Sequence, residues 1–187
     1  PVAYDFDDFG RMTGMYTYRG SSSVSSYSDL VNLKSSMDQT TWNYEPGTGL
    51  LTNKLYANGK GPVYAYTADG KLLTRTWARG IITTYSYDPT SGSMTNIDYS
   101  DSTPDVTFTL DRLGRQVTIT DGTGTRMFTY NDALQLAAET NVFGVIERQY
   151  DTLGRNTGFT LGADYSVVYS YDPLGRFASV SSSVSVC

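Results

Sequence analysis

Large and small positions alternate along this chain in short stretches, and each stretch ends in a polar turn. Tyr64-Ala65-Tyr66, Tyr85-Ser86-Tyr87, Phe108-Thr109-Leu110, Phe128-Thr129-Tyr130 and Tyr169-Ser170-Tyr171 are the plainest cases. Residues two apart on a strand point to the same side of a sheet. Each stretch therefore predicts a strand that sets two large groups on one face. Threonine-rich stretches follow the turns, at 72–80, 94–101 and 116–125, and these predict return strands. Asn58-Gly59 and Asp121-Gly122 mark turns at the far ends of those strands. The prediction is hairpin after hairpin along the chain.

The hairpins recur at a fixed period. Anchored on the residue before each turn, they fall at Phe6, Tyr44, Tyr66, Tyr87, Leu110, Tyr130, Tyr150 and Tyr171, with spacings of 38, 22, 21, 23, 20, 20 and 21 residues. A period of this size marks a repeat architecture. One hairpin alone is marginal in water, so stability must come from stacking each on its neighbours. The first spacing is close to two periods. It covers 12–41, which reads as an irregular insertion or a degenerate repeat inside one array spanning 1–187. Within it, 21–26 reads as a flexible loop. Residues 28–38 predict a short helix with Ser28 as N-cap and Leu30, Leu33 and Met37 on one side.

Each turn has a division of labour. The acid after the anchor (Asp7, Asp88, Asp111, Asp151, Asp172) is placed to accept from the turn's amides. Gly10, Gly70, Gly92, Gly114, Gly154 and Gly175 occupy positions where φ is expected to be positive. Arg11, Lys71, Arg115, Arg155 and Arg176 can neutralise the acid across the turn. Repeat six is read with Ala133 and Leu134 where the others carry Gly and Arg, which predicts a turn closed in a different way. Gly154→Val is expected to destabilise much more than Gly122→Ala.

Composition agrees with a sheet. Of 187 residues, 16 are tyrosine and only 18% are charged, against about 25% in an average globular domain. Net charge is −5, and the 14 cations are scattered singly, which speaks against nucleic acid and against anionic membrane surfaces. No apolar stretch is long enough to insert in a membrane as a helix, and no signal peptide opens the chain. The opening, without methionine and already strand-like, reads as an excerpt of something longer. Histidine is absent, which removes Ser-His and Cys-His nucleophile arrangements and the commonest metal ligand. Cys187 is the sole cysteine and can form no intrachain disulfide. The recurring aspartates read as turn caps rather than catalytic pairs, and Asp98, Asp101 and Asp105 as solvated surface rather than a calcium site. The sequence assigns no catalytic, cofactor-binding or metal-binding residue, and the chain reads as no enzyme.

The motif Phe6-Asp7-x-x-Gly10-Arg11, with Asp111-x-x-Gly114-Arg115, Tyr150-Asp151-x-x-Gly154-Arg155 and Tyr171-Asp172-x-x-Gly175-Arg176, resembles the YD repeat of RHS-type proteins. Tyr87-Asp88, with Gly92, matches it in part. The resemblance covers essentially 1–180 outside 12–41. It implies an all-β array of consecutive antiparallel hairpins in a curved, twisted sheet, an arc of a hollow shell. In that family the shell encloses a toxic C-terminal domain, and a related barrel belongs to teneurins, cell-surface adhesion proteins. The implied partners are neighbouring repeats and an encapsulated domain of the parent protein. The implied localisation is secreted or cell-surface. YD repeats are also linked with carbohydrate, so a glycan- or cell-surface-binding module is the alternative.

Overall fold

The computed structural model describes residues 2–20 and 26–184. Cys187 and most of the loop expected at 21–26 lie outside the described residues. The described chain is all-β apart from one short helical passage. Its strands are β1 (Val2–Phe6), β2 (Met12–Thr17), β3 (Asp38–Tyr44), β4 (Leu51–Leu55), β5 (Val63–Tyr66), β6 (Leu72–Thr76), β7 (Ile82–Tyr87) and β8 (Met94–Tyr99). They continue as β9 (Val106–Leu110), β10 (Gln116–Asp121), β11 (Gly124–Tyr130), β12 (Leu136–Asn141), β13 (Gly144–Tyr150), β14 (Asn156–Leu161), β15 (Tyr165–Tyr171) and β16 (Phe177–Val184). Strands lie in chain order without a crossover. The chain divides into two compact parts, one of Pro1–Tyr85 with Asp98–Ser102, the other of Ser86–Ile97 with Thr103–Cys187.

In the first part β1 pairs with β2, β2 with β3, and so on to β6 with β7, all antiparallel. The departure from the repeat is confined to 18–37, between β2 and β3. Here α1 (Tyr27–Leu33) runs into a 3₁₀ turn at Lys34–Ser36. The cap is Ser26, two residues before the Ser28 that the sequence suggested. The Ser26 hydroxyl accepts from the Asp29 amide (3.1 Å) and the Asp29 carboxylate from the Ser26 amide (3.0 Å), a complete capping box. Lys34 bonds to Asp5 on β1 and lies 4.6 Å over the Tyr16 ring, which ties the insertion to β1 and β2. Met37 follows as a buried side chain.

In the second part the pairs from β8–β9 to β15–β16 repeat the same plan. Register separates two faces here. Phe108, Ile119, Arg126, Phe128, Glu139, Ile146, Arg148, Phe159 and Val167 are linked by pairing and alternation on one face. The opposite face is rich in short hydroxyls. There Thr109 and Thr118 are 2.7 Å apart, Thr120 and Thr125 2.9 Å, and Ser166–Ser183 and Ser170–Ser179 2.7 Å each. These are directly opposed cross-strand pairs, the unit by which a sheet is stabilised.

A conventional core is nearly missing. Among the described residues the buried apolar side chains are Ala3 and Met37 in the first part and Val167 in the second. Thr83, 1% exposed, is buried by accepting from the Trp77 indole at 2.8 Å. With so little apolar burial, strand pairing and side-chain links between repeats must hold the structure together.

The hairpins also carry a regularity that alternation did not predict. In seven of them the residue after the first return-strand position is unpaired: Thr13, Thr52, Leu73, Val117, Ala137, Thr157 and Ala178. Tyr130 pairs with Leu136, for example, but Thr129 pairs with Ala138, which leaves Ala137 as a bulge. Leu136 and Glu139 thus share a face although three residues apart.

Candidate functional site

The motif turns are three-residue loops in which a type I turn ends on a residue with positive φ. In repeat seven the Gly154 amide donates to the Asp151 carbonyl (2.9 Å) and the Asp151 amide to the Arg155 carbonyl (3.0 Å). The Asp151 carboxylate closes the loop from inside. Its Oδ1 accepts from the Leu153 and Arg155 amides, both at 2.9 Å, and its Oδ2 from the Arg155 guanidinium at 2.7 Å. Asp7, Asp111 and Asp172 do the same with Arg11, Arg115 and Arg176. Gly10, Gly70, Gly114, Gly154 and Gly175 all have φ between 77° and 82°. Gly92, in a turn one residue longer, has φ 72°, and Asp88 caps that turn through the Thr90 and Ser91 amides. In repeat three the cap is Thr67 Oγ1, which accepts from the Lys71 amide at 3.0 Å, while Asp69 takes the pairing with Lys71 (2.6 Å).

Repeat six corrects the sequence reading. Its turn does not close differently: Leu134, with φ 65°, occupies the glycine position and Gln135 the arginine position. The Leu134 amide donates to the Asn131 carbonyl (2.8 Å), and Asn131 Oδ1 accepts from the Gln135 amide (2.9 Å) as the aspartates do. The side-chain pair is Asn131–Gln135, at 3.1 Å, in place of Asp–Arg. A Cβ at positive φ costs about 1–2 kcal/mol, and Leu134 is 57% exposed, so it recovers little by burial. Leu134→Gly is expected to raise stability by about 0.5–1 kcal/mol after allowing for the freer unfolded chain, read as a higher urea midpoint. A loss of stability would mean that the Leu134 side chain makes a contact worth more than the strain.

Each motif also reaches its neighbours. The anchor tyrosine hydroxyl donates backwards, to the first return-strand carbonyl of the repeat before: Tyr44 to Met12, Tyr66 to Leu51, Tyr130 to Gln116, Tyr150 to Leu136 and Tyr171 to Asn156, at 2.8–2.9 Å. The arginine reaches forwards. Arg11, Arg115 and Arg155 lie 4.5, 4.0 and 4.5 Å over the next anchor rings, Tyr44, Tyr130 and Tyr171. Arg11 and Arg115 also donate to the carbonyl at the next turn's positive-φ residue, Gly49 (3.2 Å) and Leu134 (3.3 Å), and Gln135 does so to Gly154 (2.7 Å). Phe6 and Tyr87 end β1 and β7 at the same anchor position.

This wiring sets the acidity of the turns. The Arg155 amide and guanidinium draw Asp151 below the usual carboxylate range, and Arg176 does the same to Asp172. At Asp7 and Asp111 desolvation is the largest single influence and pushes upwards, but the arginine and amide bonds together outweigh it. Lys71 and Thr67 hold Asp69 down to about 2. These carboxylates stay ionised and occupied at neutral pH, unlike a general acid, whose affinity for its proton must be raised. Among the described residues no group of three or more Cys, Asp or Glu side chains gathers to hold a metal, and no helix is long and apolar enough to cross a membrane.

No protein-family model and no curated protein matches the chain. Solved structures do. The likeness is to TcdB2-TccC3. A crystal structure under that name is 16% identical, with a TM-score of 0.45, covering 96% of this chain and 11% of that one. TcdB2-TccC3-TEV gives 15% and 0.45, with 98% and 11% covered. A mutant Tc holotoxin pore of Photorhabdus luminescens gives 18% and 0.43, with 94% and 11% covered. The chain spans about a tenth of the length of these proteins.

Proposed function

We propose that this chain is a length of YD-repeat wall, whose work is to enclose or present another domain of its parent protein. One observation carries the reading. In the full motif turns the side chains that could do chemistry are committed to the same internal roles: Asp7, Asp111, Asp151 and Asp172 to their own turns, Arg11, Arg115 and Arg155 to the next ring, and Tyr44, Tyr130 and Tyr171 to the previous repeat. The sequence motif supports the family, and the family's shells hold a toxic C-terminal domain.

The glycan-binding alternative would use the rings as stacking platforms. The guanidinium groups over Tyr44, Tyr130 and Tyr171 already occupy ring faces, which counts against it. The test is protease protection of the parent protein. A domain that resists protease with the array intact, and is cut once the array is destabilised by Gly158→Ala, is the expected result. Equal cutting in both would end the wall reading. A glycan array probed in parallel with the chain and its Tyr85→Ala/Tyr87→Ala variant tests the alternative: selective binding lost in the variant would establish a recognition module instead.

A further inference from the structure

Lys71 stands in for the arginine in repeat three and the Gln135 amide in repeat six, but two turns carry neither a cation nor an amide at that position. Leu50 stands at the cation position in repeat two, and Ser93 in repeat four. Both turns are one residue longer than the others, with the Gly49 amide donating to the Glu45 carbonyl and the Gly92 amide to the Asp88 carbonyl, each at 2.8 Å.

Elsewhere the guanidinium has a fixed set of neighbours. Arg11 has the carboxylate of its own turn (Asp7, 2.7 Å), the next anchor ring (Tyr44, 4.5 Å) and the carbonyl of the next positive-φ glycine (Gly49, 3.2 Å). Repeat two keeps the equivalents of that set and omits the cation. A groove of about 400 Å³ opens there, with Glu45 in place of Asp7, Tyr66 in place of Tyr44 and Gly70 in place of Gly49, and with Leu50 in its wall. The site is already oriented. The Tyr66 ring is fixed by its hydroxyl bond to the Leu51 carbonyl (2.9 Å), and Glu45 Oε2 accepts from the Thr48 hydroxyl (2.6 Å).

We propose that this groove binds a guanidinium group, the arginine side chain of another polypeptide or a small free guanidinium compound, in the place that the chain's own arginines fill in other repeats. The planar ion stacks on Tyr66 while its N–H groups face Glu45, a match of flat cation to ring and carboxylate that an ammonium meets less well. Repeat four supplies an internal control. Its groove, of about 370 Å³, has Asp88 and the Phe108 ring in its wall but presents Leu110 at the anchor position, so the ring that the arginines cover in other repeats is missing, and Arg112 already lines it.

The experiment is an NMR titration of the intact chain with N-acetyl-arginine amide and with acetyl-Gly-Arg-Gly amide, against lysine and norleucine amides. Saturating shifts confined to 45–50 and 64–70 are expected, with a dissociation constant on the order of 1–10 mM for so small and open a site. Lysine amide should bind roughly threefold more weakly and norleucine amide not at all. Tighter binding of the peptide would identify a polypeptide as the source, equal binding any small guanidinium. Glu45→Gln should weaken binding about fivefold. Leu50→Arg, which supplies the missing group from within, should abolish it and raise the urea midpoint. Shifts that do not saturate, that norleucine amide reproduces, that appear equally at the repeat-four groove, or that survive in Leu50→Arg would overturn the proposal.

Discussion

Gly158→Ala is expected to destabilise the protein by about 3 kcal/mol or more, a large loss from so small a change. Gly158 is buried in β14, directly after the unpaired Thr157, and takes φ 150°. A Cβ there would lie 2.1 Å from the Val167 carbonyl oxygen and 3.2 Å from the Val168 Cα, both backbone atoms of β15. Backbone cannot rotate away as a side-chain tip can, so β14 and β15 would have to part or shift register. Gly154→Val should fall below this. Its φ of 79° strains a branched residue, but the nearest atom to its Cβ is the flexible end of Gln135, at 3.2 Å. Gly122→Ala should cost least of the three, since it has no positive φ to defend and its Cβ, 2.8 Å from the Pro104 Cγ, asks only that the Pro104 ring move aside. Urea denaturation of the three variants ranks them. Gly158→Ala no worse than Gly122→Ala would mean that β14 and β15 do not approach as closely as described.

Acid should loosen the array through many turns at once. Asp5, Asp7, Asp69, Asp88, Asp111, Asp121, Asp151 and Asp172 are all held below the ordinary carboxylate range. A carboxylate depressed in the folded state contributes its stability above its unfolded value, 3.8 here, and loses it as pH falls through the folded value. The urea midpoint should therefore be flat from pH 7 to about 5, begin to fall near 4 and keep falling towards 2, where Asp69 titrates. Repeat six suggests the control, because its Asn131–Gln135 pair makes the same turn bonds without a titrating group. Asp151→Asn/Arg155→Gln should remove part of the acid slope while the fold at neutral pH is kept. A profile that stayed flat to pH 2 would show that the turn pairs contribute nothing measurable.

The hairpins, their order and the conformation at the motif glycines were legible because each rests on local chemistry: alternation, an acid that caps a turn, a glycine where a Cβ strains. Three things were not. The bulge residues Thr13, Thr52, Leu73, Val117, Ala137, Thr157 and Ala178 share no side-chain type, so nothing marks them, and a strict alternation misassigns the faces of Leu72 and Arg75. Repeat six was read out of register because Leu134 violates the glycine preference while Asn131 and Gln135 keep the bonding. The helix cap is hidden because Ser26 closes a serine-rich stretch in which no one serine stands out. Only the capping partner Asp29, three residues on, pointed to it. The links between repeats were half visible. The sequence supplied Asp and Arg, but that the guanidinium also covers the next tyrosine depends on a contact 15–33 residues away, as in Arg115–Tyr130 and Arg11–Tyr44.

The bulge that follows seven of the motif turns has an evolutionary corollary. It reverses the side-chain phase once per hairpin, and the far loop, two residues between Asn141 and Gly144 or three between Leu161 and Tyr165, absorbs the difference between a 20- and a 21-residue repeat, so each hands the next its strand in the same orientation. Whole repeats can then be duplicated or deleted in the gene and the contacts of the survivors still mesh. Loss of a single strand residue, by contrast, would turn the hydroxyl side of that strand over to the side of the rings. Lineages built on this plan are free to vary in size by counting repeats, while each repeat is held to its own spacing.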